Sequence, residues 1–472
     1  MKRLPIRGGN WNNAATSGVF ALNLNNARTN VNNSIGSRPA LGDRQKRPAY
    51  WACRQNTPQK DALSSAMVKA RSRKIKQMAR SSSACARPFA AITPRGPFDF
   101  TMAKTYNNLF PQIYDFEALH AAYLRARAGK RSRREVQQFE QDLEGNLIQL
   151  QNELIWDQYQ IGAYLPFKVY EPKERNVAAL PFRDRVVQHA LVAVIEPLWE
   201  RRFISDSYAC RPGRGTHLGA DRAQAMLRKV KREHSKVSVF KADIAKYFQS
   251  IDHSILKGLM RKRIACKRTL ALLDHIIDSA NSLSSHIPGV GLPIGNLTSQ
   301  LCANIYLHEL DEFIKHALRE KHYARYMDDF IVVHPDKAHL QRVRVQVEDF
   351  LAQRLRLKTN HKTQVFPLSV LHGRALDFLG YRIWTTHRRL RKSSISRITL
   401  TLRTLQRQYA DGCISLERVG QSVTSWVAHA MHADALGLRT RLLGRFAFVR
   451  ATPARPPTPT GCPPMQAAPL KP

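Results

Sequence analysis

The sequence predicts an α+β fold, and three observations predict it. Short apolar runs of strand character, "VSVFKADIAKYF", "ARYMDDFIVVH" and "ALDFLGYRIW", are confined to the middle of the chain, between about Pro166 and Trp384. Apolar residues recur at helical spacing on both sides of that region. One strand candidate breaks around an Asp-Asp pair, as a β-hairpin would, which suits an antiparallel sheet backed by helices. At 472 residues and 43% hydrophobic content, the chain is long enough for two or three cores of ordinary composition.

Taken in order, residues 1–101 are basic and rich in Asn, Ser and Ala, with 18 Lys+Arg against 3 Asp+Glu and no sustained periodicity. They are expected to be disordered. Residues 102–165 read as a helical extension. Phe116, Leu119, Ala122 and Tyr123 share one helix face; Val136, Phe139, Leu143, Leu147 and Leu150 share another after a Gly-Lys-Arg break. Over 166–384 strands alternate with helices, and "ALVAVIEPLW" (Ala190–Trp199) is a buried helix face, too short to span a bilayer. From Arg388 to Arg450 the pattern is helical and very basic, with Gly412 as the stop of its clearest helix. Residues 451–472 are a Pro-rich tail expected to be disordered.

Lys+Arg outnumber Asp+Glu by 75 to 36, a formal net charge of +39. Beyond residue 101 the balance is still 57 against 33, so the excess belongs to the folded part and suits a polyanion. The seven cysteines are scattered, without metal-ligand spacing, and read as reduced thiols of a cytoplasmic protein. No secretory signal or membrane span is visible; an organellar transit peptide is the weaker competitor.

"YMDD" (Tyr326–Asp329) lies between two short apolar runs, which places Asp328 and Asp329 at a hairpin turn. Adjacent carboxylates repel, so keeping both ionised calls for a cation or an open, solvated position. A third carboxylate, Asp243, ends the strand "VSVFKAD". Were that strand beside the hairpin, Asp243 and Asp328 would bracket two Mg²⁺ ions roughly 3.5–4 Å apart, with Asp329 a weaker participant.

Seven blocks in order extend this: "KERNVAALPFRDRVVQHAL", "SYACRPGRGTHLGADR", "FKADIAKYF", "GLPIGNLTSQLCANIYL", "RYMDDFIVV", "LRLKTNHKT" and "LDFLGYRIW". With them the chain resembles reverse transcriptases over about Met102 to Phe448. The resemblance implies a right-hand polymerase fold, with fingers and palm over 166–384 and a helical thumb over 385–450. It implies RNA-directed DNA synthesis from dNTPs on a template RNA and a DNA primer. By the same resemblance Asp243, Asp328 and Asp329 are the catalytic, metal-holding carboxylates, and Lys173 and Arg175 grip the incoming triphosphate. Phe248 is the steric gate against a 2′-hydroxyl, Ile294 and Gly295 face the nucleotide, and Lys362 is a proton donor near the leaving pyrophosphate. Phe378, Leu379, Gly380 and Tyr381 form the primer grip.

The fourth block narrows the kind. "PIGNLTSQ" has Ile294 before Gly295 and Gln300 after Ser299, which resembles the enzymes of diversity-generating retroelements. Those enzymes copy a template-repeat RNA with errors at adenines, and a small basic accessory variability determinant protein is the implied partner. "GGNWNNAATSGVFALNLNNARTNVNNSIGSRPA" (Gly8–Ala40) holds nine asparagines. Asparagine codons begin AA and end in a pyrimidine, so scrambling their adenines samples many residues and no stop codon. Residues 1 to about 45 are therefore expected to be translated template repeat, the enzyme proper starting near Met102. Two alternatives stand beside this: a faithful group II intron or retron-type enzyme, and a non-catalytic RNA-binding protein on a polymerase scaffold. Intact Asp243, Asp328 and Asp329 argue against the second.

Overall fold

A computed structural model describes residues 104–170, 174–282, 287–369 and 374–450. The expected disorder of 1–101 and 451–472, the template-repeat reading and Lys173 all lie outside these residues. The described chain opens with α1 (Pro111–Tyr114), α2 (Phe116–Arg127), α3 (Arg134–Gln141) and α4 (Leu143–Ile155). One helix was expected where α3 and α4 stand. Asp142 divides them because its side chain caps the next helix, accepting from Gly145 N at 3.1 Å. The hairpin β1 (Leu165–Val169) and β2 (Arg175–Ala179) follows, then α5 (Phe182–Glu200) and α6 (Thr216–His234).

The central sheet is β3 (Ser238–Asp243), β4 (Tyr323–Tyr326), β5 (Asp329–His334) and β6 (Gln364–Pro367), in the order β4-β5-β3-β6, all antiparallel. Between β3 and β4 run α7 (His253–Arg261), α8 (Lys267–Asp278) and α9 (Leu297–Glu312); α10 (Lys337–Leu355) joins β5 to β6. A second sheet, β7 (Leu376–Phe378), β8 (Tyr381–Ile383) and β9 (Arg388–Leu390), leads into α11 (Lys392–Ala410), α12 (Leu416–Met431) and α13 (Leu436–Leu443).

Both faces of the central sheet are covered, which is why its strands read as nearly unbroken apolar runs. Phe240, Ala242, Phe330 and Val332 face a core shared with α2, α5 and α9. Val239, Ile331 and Val333 alternate to the other side, into a core with α6, β7–β9 and the C-terminal helices. "ALVAVIEPLW" lies in α5 and is largely buried, as expected. The C-terminal helices begin at Lys392 rather than Arg388, because Arg388–Leu390 pairs with β8 instead. Gly412, at φ +81°, does follow the end of α11. Cys266 and Cys302 are free thiols.

Candidate active site

β3 and β5 pair so that Asp243 stands directly opposite Asp329, a spacing of about 5 Å between Cα atoms in an antiparallel ladder. Tyr326 pairs with Asp329, so Met327 and Asp328 alone make the turn of the β4–β5 hairpin, and Asp329 is already the first residue of its strand. Three carboxylates thus meet at one end of the sheet. Burial pushes the Asp328 carboxyl up to about 7, helped by repulsion from Asp243 and Asp329 and opposed by Arg175. Burial raises Asp329 to about 6, with Lys241 opposing and Asp243 adding.

Asp329 is held by Lys241, whose Nζ lies 3.4 Å from Oδ2, while its Oδ1 is buried with no hydrogen-bond partner. Asn360 brackets Asp243: its backbone N donates to the Asp243 carbonyl (2.6 Å) and its Nδ2 to Oδ2 (3.3 Å). Raised carboxylates, mutual repulsion and an orphaned buried oxygen fit a bound cation. Among the described residues no three His, Cys, Asp or Glu side chains are grouped so as to hold a metal ion by themselves. Magnesium does not ask for such a group: one or two carboxylates plus the substrate's phosphates suffice.

Residues 169–383 match the reverse transcriptase (RNA-dependent DNA polymerase) family. The chain carries a reverse transcriptase domain. It is 27% identical to protein YkfC of Escherichia coli over 272 residues, 49% of this chain and 70% of that one. It is 32% identical to the group II intron-encoded protein LtrA of Lactococcus lactis over 145 residues, 30% of this chain and only 23% of LtrA. Telomerase from Candida tropicalis overlays at a TM-score of 0.36 with 14% identity, over 48% of this chain and 55% of that one. The fold is mixed helix and sheet, and the matched family is one of RNA-dependent DNA polymerases.

Within the reverse transcriptase domain one backbone path links the other expected residues. Phe248, in a 3₁₀ turn just after β3, is buried, and its carbonyl accepts from Leu292 N at 2.7 Å. Two residues on, the Ile294 carbonyl accepts from Ala178 N at 3.0 Å, so β2 and its Arg175 hang on the same loop. Gly295, at φ +136°, is required there: a Cβ would meet the Ala178 carbonyl oxygen at 2.4 Å. Lys362 is exposed, and only its backbone is tied in, N donating to Asn360 Oδ1 at 3.2 Å.

The β7–β8 hairpin turns through Leu379 (φ +52°) and Gly380 (φ +90°), a two-residue turn of the type that matches strand twist. Phe378 and Tyr381 on either side are buried, and the Tyr381 hydroxyl meets His217 Nδ1 (2.9 Å) and His429 Nδ1 (3.1 Å). Those two rings are core, and the turn between them is packed too: Gly380 is buried and Leu379 lies against the same core.

Sequence reasoning missed Lys241, Asn360 and the pair Arg325–Asp311. Lys241 was legible, since it precedes Asp243 by two residues and so shares its face of β3. Asn360 lay unremarked inside "LRLKTNHKT". Gln300, noted as a departure in the fourth block, is buried with neither amide atom hydrogen-bonded.

Proposed function

We propose that this chain is the mutagenic reverse transcriptase of a diversity-generating retroelement, copying a template-repeat RNA with errors at adenines. The carrying observation is Ile294 before Gly295 in the fourth block, on the loop whose Ile294 carbonyl accepts from Ala178 N of β2. An apolar side chain there withholds a hydrogen bond that a polar one would offer to the pairing bases, so discrimination weakens. The nine asparagines of residues 10–33, read as translated template, support the same reading. The accessory protein, the template RNA and a DNA primer are the partners this reading names.

Asp243 and Asp328 would hold two magnesium ions, with Asp329 oriented by Lys241 in support. Magnesium bound there supplies a lowered pKa at the primer 3′-hydroxyl and neutralisation of the leaving pyrophosphate. Arg175, with Lys173, binds the triphosphate and sets it in line; Arg's planar fork suits phosphate oxygens. Phe248 closes the floor under the sugar, where a 2′-hydroxyl would clash. Lys362 would extend from its turn to give a proton to pyrophosphate once the triphosphate is bound. In domain terms, 166–384 are fingers and palm, 385–450 the thumb, and 102–165 a helical extension available to RNA or the accessory protein.

A faithful intron-type enzyme is the second reading, favoured by the likeness to LtrA. Replacing Ile294 by Gln tests between them. The mutagenic reading expects misincorporation opposite template adenine to fall several-fold while errors opposite other bases stay level. An unchanged spectrum sinks the role of Ile294.

A further inference from the structure

Beneath the Met327–Asp328 turn lies an ion pair that neither composition nor motif announces. Arg325 and Asp311 are both fully buried, at 0% exposure. Arg325 Nε donates to Asp311 Oδ1 at 2.7 Å and Nη2 to Oδ2 at 2.6 Å, a two-pronged contact. The remaining nitrogen, Nη1, reaches the Met327 carbonyl at 3.1 Å and Asn304 Oδ1 at 3.2 Å. Tyr323 adds its hydroxyl to Asp311 Oδ1 at 2.7 Å. Burying two charges is costly, and a pair of this kind seldom persists for stability alone.

The geometry answers what it does. Met327 sits at φ +55°, a left-handed backbone that a non-glycine residue adopts at some cost, and Asp328 is the next residue. Arg325 Nη1, the nitrogen left over from the Asp311 contact, holds the carbonyl of that strained residue. Its other end is fixed on both sides. Arg325 N donates to the Asp206 carbonyl and its own carbonyl accepts from Tyr208 N, each at 2.9 Å. Asn304 and Asp311, seven residues apart, lie on one face of α9, the helix that starts just after Gly295. One rigid helix therefore joins the nucleotide side of the site to the turn that presents the carboxylates.

We propose that Arg325 is a positioning residue for DNA polymerisation: anchored on Asp311 and Asn304, it holds the Met327 carbonyl and thereby fixes the turn that aims Asp328. The inference rests on the reading of Asp328 as a catalytic carboxylate, so the experiment includes Asp328→Asn.

Three further proteins are compared with wild type: Arg325→Lys, the paired Arg325→Met with Asp311→Leu, and Asp328→Asn. Each is assayed for single-nucleotide incorporation and for hydrogen exchange across residues 323–330 without substrate. The paired replacement removes both charges together, which spares the fold an uncompensated buried ion. It is expected to lose about tenfold or more in kcat, with KM for the nucleotide within about twofold, and to exchange faster at the turn alone. Arg325→Lys keeps the charge without the fork and is expected to fall between. Should the paired protein not fold, Arg325→Lys decides by the same two readouts. Wild-type kcat in the folded variants, or a loss of kcat with no change at the turn, overturns the proposal. An active Asp328→Asn overturns the reading beneath it; an inactive one beside wild-type Arg325 variants overturns the positioning role alone.

Discussion

Asp328 carries the sharpest conflict between stability and function in the molecule. Its carboxyl, ordinarily near 3.9, stands at about 7 in the fold. The folded state thus binds its proton more tightly than the unfolded one, so this group favours folding at low pH. That contribution is present below about pH 4, fades as pH rises towards 7 and is lost above it. Asp328→Asn removes the charge. In EDTA-treated protein at pH 8 it should raise Tm while cutting nucleotide incorporation by about 100-fold or more. Calorimetry and primer extension on one preparation check both, and a lowered Tm would argue against carboxylate crowding. Gly295 gives a second residue-scale test. Alanine there adds a Cβ into the Ala178 carbonyl on a φ of +136° and should cost roughly 1–3 kcal/mol in chemical denaturation. An unperturbed unfolding midpoint would mean that β2 does not rest on this loop.

Elements were legible where their side chains repeat with one period. The β4–β5 hairpin followed from "ARYMDDFIVVH", and α2 from the spacing of Phe116, Leu119 and Tyr123. The break at Asp142 and the strand Arg388–Leu390 were not, because a cap and a strand pairing depend on partners that no local pattern contains. The junction of β8 with α12 makes a pH prediction. His217 on α6 stacks on His432 (ring centroids 3.6 Å apart) and shares the Tyr381 hydroxyl with His429; Asp221 and Arg388, themselves paired at 2.7 Å, complete the surroundings. Burial, helped by repulsion from His432, holds both His217 and His429 down to about 4, against an unfolded value near 6.5. The unfolded chain therefore takes up protons first. Stability is full above about pH 6.5 and is lost as pH falls towards 4. Tm should drop between pH 7 and pH 5, and His217→Gln with His429→Gln should flatten that slope. An equally steep slope in the double variant would place the sensitivity elsewhere.

At the scale of the whole molecule, the antiparallel sheet came with the family resemblance, while the positive charge, the hairpin and the three carboxylates were readable from residues alone. What held the site together was not. Arg325, Asp311 and Asn304 are scattered over 22 residues of sequence and meet only through the packing of α9 against the sheet. The measurement that bears most directly on a mutagenic polymerase is the sequencing of cDNA made by the full chain, with the proposed accessory protein, on RNA encoding residues 8–40. Asp328→Ala with Asp329→Ala serves as the control. The account predicts errors concentrated at template adenines and no cDNA from the control; faithful cDNA, with adenines copied as accurately as other bases, would contradict it.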